Sequence, residues 1–224
     1  MKTKQITKNF CIILMLMVFV LSVFTFAGCK KEYEPKTLTI EQAKQLVNDA
    51  IEKAKNAKNI YAVDEEGEFA FANNEGYYEE YFEEVEIGEE SKKITVKEWR
   101  VHNDSNWEII SVKYLENEPV NYEILGSGST ATSYIELIIS DIDWIPDCFD
   151  DEEISVSAKQ MSEDMIRIIF YDGDDSYEVE IVDGYITKTT ETYVYDEEIE
   201  SWSYMYSYNV TDREIPEIPE NPTV

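Results

Sequence analysis

Cys148 and His102 are the residues whose side chains could supply a nucleophile and its general base. A catalytic thiol needs an adjacent imidazole, and the imidazole needs a third group that orients it. His102 is the only histidine of the chain and has no evident orienting partner, and Cys148 lies in a segment typical of a small buried residue. The hydrolase, metalloprotease and phosphate-loop motifs are also missing. We therefore predict no catalytic residues and a protein that is not an enzyme.

A second group of residues could supply oxygen ligands to calcium. It consists of aspartates within one short segment: Asp141, Asp143, Asp147, Asp150 and Asp151. A calcium-binding loop of the EF-hand type needs a ligand at its fifth position and a glycine at its sixth. Counted from Asp141, these positions hold Ile145 and Pro146. We predict no metal site and no cofactor.

The charge of the chain limits its partners. It contains 48 acidic and 19 basic residues among 224, a formal net charge of -29. Nucleic-acid affinity comes from Lys and Arg side chains that release counterions, so we predict no nucleic-acid partner. Docking of the protein surface on anionic lipid is disfavoured for the same reason. Paired carboxylates also serve glycosidases, but with this many acids pairs arise by chance.

One strand-like segment near the C-terminus carries aromatic side chains at alternate positions. Residues two apart in a strand share a face, and rings with polar tips suit the wall of an amphipathic site or a platform for a sugar. The same face could instead simply pack on a helix, and the sequence leaves both interpretations open. The candidate ligand-binding residues lie on this strand and on its predicted hairpin partner: Trp202, Tyr204, Tyr206, Tyr208, Tyr193 and Tyr195.

The N-terminus is typical of an export signal. Three lysines precede a long apolar run, which ends in the sequence Phe-Ala-Gly-Cys at residues 26–29. This motif resembles the bacterial lipobox, which implies cleavage after Gly28 and a lipid on Cys29. An uncleaved membrane anchor is the alternative, because the run is nearly long enough to span a bilayer. Both place the domain on the extracytoplasmic face of the cell membrane, and Cys148 is then the only thiol left in it, so no internal disulfide can form.

The remaining chain predicts one long helix followed by many strands. Thr39 and Gln42 form a capping box before apolar residues spaced by three and four, from Ile40 to Ala54. We expect Val47 and Ile51 to be buried against the sheet. The segment 132–143 is ambiguous between helix and strand, but the spacing of its apolar residues favours a helix, which Pro146 would end. Period-two patterning predicts strands over 68–71, 77–87, 92–102, 107–115, 120–125, 154–158, 165–171, 177–182, 185–195 and 202–210.

This order of elements, with a lipobox in front and Ile-Pro after the last strand, resembles the LolA/LppX-like lipoprotein carriers. A local pattern over 182–186, Val-Asp-Gly-Tyr-Ile, adds to the resemblance. It implies an α+β fold in which a strongly curved antiparallel sheet, a half-barrel, wraps the N-terminal helix and carries a short helical insertion. The implied organisation is a signal peptide (1–28), a lipidated tether (29–37), the sheet domain (38–215) and a Pro-rich extended tail (216–224).

The resemblance implies a lipid-anchored binding protein: a carrier, chaperone or sensor for a hydrophobic or amphipathic ligand. The expected partners are the membrane, through acyl chains on Cys29, and a lipid or amphipathic ligand. The alternative is a surface interaction protein whose aromatic sheet face binds an envelope protein or a cell-wall glycan. An open apolar groove would favour the first function, and a filled core with an exposed aromatic stripe would favour the second.

Overall fold

The computed structural model describes residues 33–87, 90–103, 106–128, 133–195 and 198–220. Its contacts divide the chain into two units, Met1–Glu34 and Pro35–Val224, and the fold below is that of the second unit. The predicted signal peptide and Cys29 lie outside the described residues. No helix within the described ranges is long and apolar enough to cross a membrane.

Antiparallel β-structure makes up most of the described chain, and the strand runs predicted from period-two patterning are confirmed. The turns between them hold Asn, Asp and Gly, including Gly67, Gly173 and Gly184 at positive φ. The strands are β1 (Lys36–Thr37), β2 (Asn59–Asp64), β3 (Phe69–Asn73), β4 (Gly76–Ile87), β5 (Glu90–Asn103), β6 (Asn106–Leu115), β7 (Glu118–Gly128), β8 (Ser155–Gln160), β9 (Met165–Asp172), β10 (Asp175–Val182), β11 (Tyr185–Tyr195) and β12 (Glu198–Tyr208).

The described strands form one open, curved sheet of twelve strands in the order β1-β8-β9-β10-β11-β12-β2-β3-β4-β5-β6-β7. Two meanders, β2 to β7 and β8 to β12, are joined where β12 pairs with β2. The chain therefore leaves the sheet at one edge after β7 and re-enters near the opposite edge at β8. The connection between these strands must cross a face of the sheet, and it does so as the helical insertion.

Helix α1 (Ile40–Lys55) begins as predicted. The Thr39 side chain accepts a hydrogen bond from the backbone of Gln42, and the Gln42 side chain accepts one from the backbone of Thr39. Val47 and Ile51 are 0% and 4% exposed, which confirms that this stripe is buried. The helix contacts β8 and β11, and its apolar stripe joins a core cluster on that face of the sheet. We call this the helix face.

The helical insertion differs from the predicted single helix. Helix α2 (Tyr134–Ile139) begins at a Ser133 capping box and is followed by turns and a 3-10 helix, Ile145–Phe149. Pro146 lies inside the first turn of the 3-10 helix instead of ending a longer one. That position tolerates proline because its backbone nitrogen needs no hydrogen-bond partner there. Ile138, Ile142 and Ile145 are buried in the helix-face core.

The opposite face of the sheet carries a second cluster, which the C-terminal segment 211–220 covers. Its buried members are Tyr78, Trp99, Ile110 and Val112, and Ile215 and Ile218 of the tail pack against them. Glycine at position 76 leaves room for this contact, since a Cβ there would lie 3.0 Å from Ile215 Cδ1 and 3.2 Å from the Arg100 backbone oxygen, closer than most Cβ contacts. The described part of the Pro-rich tail is extended, and it is packed on the sheet.

Candidate functional site

A groove lies on the helix face between the helical insertion and strands β10, β11 and β12. It consists of two adjoining cavities of about 280 Å³ and about 380 Å³. The two cavities share Trp144, Tyr177 and Glu191, so they form one continuous site. Their combined size falls in the range usual for small-molecule pockets.

Strand register brings the floor of the groove together. Tyr177 of β10 pairs with Glu191 of β11, which in turn pairs with Trp202 of β12. Directly paired residues project to the same face of an antiparallel sheet. One row across three strands therefore places the phenol and the carboxylate of the groove floor side by side on the helix face, with the Trp202 indole next to them, outside the groove lining.

Trp144 forms the wall that the helical insertion contributes. Its indole nitrogen donates a hydrogen bond to the backbone carbonyl of Asp141 at 2.9 Å, which fixes the side chain within its own turn. Its ring centre lies 4.7 Å from that of Tyr177. The Trp144 side chain is nevertheless 40% exposed, so its free surface is open to a ligand.

The structure brings three of the six predicted ligand-binding residues into the groove. Tyr204 and Tyr206 line the second cavity, and Tyr193 lines the first. Tyr206 is 5% exposed and belongs to the core cluster, whereas Tyr204 is 43% exposed. Tyr206 therefore has the packing role, whereas Tyr204, its neighbour on the same face, is accessible to a ligand. Each of the two interpretations of this strand applies to one of these side chains.

The other three predicted residues lie outside the groove lining. The Tyr208 hydroxyl donates a hydrogen bond to the Ile186 carbonyl at 2.7 Å, and its ring stacks on Tyr185, which is a packing role. Trp202 and Tyr195 are exposed, and each has its ring about 6 Å from the Tyr193 ring, at 5.7 Å and 6.1 Å. These three rings form an aromatic patch beside the groove.

Sequence reasoning missed the residues of the groove that come from outside the last hairpin. Trp144 and Asp141 belong to the insertion, and Tyr177 belongs to β10. Trp144 was the one detectable signal, since a large aromatic residue stands out in a short segment rich in aspartate. Only the path of the insertion across the sheet places it opposite Tyr177.

Burial keeps the tyrosines of the groove neutral. It raises the pKa of Tyr177 and, with the nearby Asp141 and Glu191 carboxylates, that of Tyr206 and Tyr204. Loss of hydration also raises the pKa of Asp141, and the neighbouring Asp143 charge adds to this. The groove therefore offers ring faces, hydroxyl groups and carboxylates, and it lacks a lysine or arginine among its lining residues.

Cys148 lines the first cavity but is 8% exposed, and burial raises the pKa of its thiol. The neighbouring Asp147 and Asp151 charges act in the same direction, so the nucleophilic thiolate is disfavoured. The His102 side chain lies outside the described residues. In the described ranges, no three His, Cys, Asp or Glu side chains are grouped so that they could hold a metal ion.

The chain matches no protein-family model, no curated protein and no solved structure.

Proposed function

We propose that the protein is a lipid-anchored binding protein on the extracytoplasmic face of the cell membrane, which takes a hydrophobic or amphipathic ligand as a carrier, chaperone or sensor. The groove between the insertion and strands β10 to β12 is the observation that carries this proposal. It combines a concave shape, aromatic walls and a few polar groups, which are the usual features of a small-molecule site.

The proposal includes the anchor and the finer architecture. Cys29 carries the lipid and tethers the domain through residues 29–37. The sheet curves around α1 as in the LolA-like carriers, and the insertion forms one lip of the opening. The burial of the α1 stripe and the curvature of the sheet support this arrangement.

Trp144 provides the direct test, because it lines both cavities and its ring is 40% exposed. Trp144→Ala removes apolar contact area and should weaken binding of an amphipathic ligand by about tenfold. Tyr171→Ala is the matched control, since Tyr171 is a similarly exposed ring on β9 that does not line either cavity. Native mass spectrometry of protein purified from its host should show a bound small molecule that Trp144→Ala loses and Tyr171→Ala retains. A bound species equally abundant in both variants would place the ligand elsewhere.

A surface interaction protein is the second candidate function, and the aromatic patch of Tyr193, Tyr195 and Trp202 favours it. Trp202 and Tyr195 are 47% and 60% exposed and lie on one face of the hairpin. Exposed rings of this kind suit a sugar face or a protein surface. Binding to cell-wall glycan or to an envelope protein that Trp202→Ala abolishes and Trp144→Ala leaves intact would support this function.

A further inference from the structure

Several acidic side chains of the sheet form ion pairs with basic neighbours. Glu83 pairs with Lys113 at 2.6 Å, and Glu180 pairs with Arg167 at 2.9 Å. Glu80 pairs with Lys97 at 3.3 Å. Although the chain holds few basic residues, the strands place them beside acids.

The second cavity is lined by two carboxylates, those of Asp141 and Glu191. Within the described residues, neither Asp141 nor Glu191 has a lysine or arginine partner. Glu191 accepts a hydrogen bond from the Tyr193 hydroxyl at 3.0 Å, and this donor is neutral. The cavity therefore holds two acidic groups whose charge the described protein leaves uncompensated.

Asp141 belongs to the helical insertion and Glu191 to β11, and both line the second cavity. Beyond the effect of burial, both carboxylates raise the pKa of Tyr204 and Tyr206, which line the same cavity. Trp144 and Tyr177 supply ring surface at the junction of the two cavities. Carboxylates beside aromatic faces are the environment in which proteins bind organic cations, because both attract positive charge.

The chemistry of the residues that line the groove favours an organic cation over a metal ion. Calcium takes six to eight oxygen ligands, and aromatic rings cannot replace them. An ammonium group with apolar substituents can leave water more readily and contact ring faces and carboxylates together. The raised pKa of Asp141 agrees with this, since a bound cation would offset the lost hydration of the carboxylate.

We infer that the groove selects ligands carrying a positively charged ammonium group on an apolar body, with Asp141 and Glu191 as the recognising residues. The inference rests on the proposed function, since it names the ligand class of the same groove. The apolar body lies against Trp144 and Tyr177, and the ammonium group lies between the two carboxylates in the second cavity.

The test compares two probes with the same alkyl chain. The full chain, held in nanodiscs of zwitterionic lipid, is titrated with octyltrimethylammonium and with the neutral octyl glucoside below their micelle concentrations. Empty nanodiscs give the background. We expect the cationic probe to bind at least about tenfold more tightly than the neutral probe.

Charge-removing variants locate the selectivity. Glu191→Gln and Asp141→Asn keep the side-chain shape, and each should remove most of the preference for the cation, measured as the ratio of the two dissociation constants. Glu118→Gln is the control, because it removes one acid at the far edge of the sheet, on β7. It should keep the full preference, which separates recognition in the groove from general attraction to an acidic protein.

Each outcome has a distinct meaning. Equal binding of both probes to the wild-type protein overturns the inference but leaves a groove for amphipathic ligands. The inference is also overturned if the Glu118→Gln variant loses as much of the preference for the cation as the groove variants do. No saturable binding of either probe overturns the inference and the proposed groove function together.

Discussion

The indole nitrogen of Trp99 donates a hydrogen bond to the backbone carbonyl of Pro216, at 2.9 Å and across 117 residues of sequence. Trp99 is 2% exposed and lies in the cluster that the C-terminal tail covers. A buried indole N–H needs an acceptor, and the tail offers a free carbonyl because its prolines keep it out of the sheet. This bond therefore fixes where the tail crosses the opposite face.

Trp99→Phe should lower the free energy of unfolding by about 1 to 3 kcal/mol, since it removes the hydrogen bond and leaves the Pro216 carbonyl without its partner. Urea denaturation followed by far-UV circular dichroism measures the change. Trp144→Phe is the control, because it deletes an indole hydrogen bond in an exposed turn. Equal losses in the two variants would show that the tail contact adds no more stability than the hydrogen bond in the exposed turn.

Val47→Asp should destabilise the domain by roughly 3 kcal/mol or more, because it places an unpaired charge in a fully buried contact. Gln45→Glu adds the same charge on the exposed side of α1, where it also removes the hydrogen bond from Gln45 to Asp49, and should change stability by about 1 kcal/mol or less. Thermal unfolding of the two variants measures the difference. A melting temperature unchanged by Val47→Asp would mean that α1 is not part of the core.

Cys29→Ala should leave unprocessed precursor and abolish lipid labelling, because the thiol is the predicted acylation site. Metabolic labelling with radioactive palmitate, followed by fractionation, measures both effects. Cys148→Ala is the control and should label as the wild-type protein does. Label that persisted on Cys29→Ala would contradict the lipobox interpretation.

Glu79 makes the stability of the sheet depend on pH. Glu79 is paired in register with Glu98, which is 8% exposed. The Tyr77 hydroxyl donates a hydrogen bond to Glu79 Oε2 at 2.6 Å. Burial and the contact with Glu98 raise the pKa of Glu79, although Tyr77 and Arg100 oppose the shift. Folding therefore favours the protonated form, and ionisation of this carboxyl opposes folding.

The direction of the effect follows from that shift. The cost that ionisation of Glu79 adds to the free energy of folding is absent below the ordinary pKa of a glutamate, about 4.3. It grows as the pH rises towards the raised pKa of the folded state and is complete above it. Glu79→Gln should therefore gain stability relative to the wild-type protein as the pH rises through this window, and the gain should level off at higher pH. Urea unfolding across this pH range measures it, and a difference that stayed constant with pH would contradict the assignment.

The sequence alone determined α1 and ten of the twelve described strands because their signals are local, whereas β1, β2 and the 3-10 helix of the insertion were not predicted. The capping box at Thr39 and Gln42, the alternation along β4 and β11 and the Asp-Gly turn at Asp183 each depend on neighbours within a few residues. Such patterns reflect backbone geometry and solvent exposure along one element. The aromatic face of β12 was visible for the same reason.

Only the tertiary structure decided which of these faces meet. The pairing of β12 with β2 closes the two meanders into one sheet, and nothing within either strand specifies the other as its partner. The same long-range pairing sends the insertion across the helix face, where Trp144 meets Tyr177. The groove is thus formed by contacts between segments that are distant in the sequence. The burial of apolar surface that stabilises these contacts is non-directional, so the local periodicity of one segment does not specify which other segment it contacts.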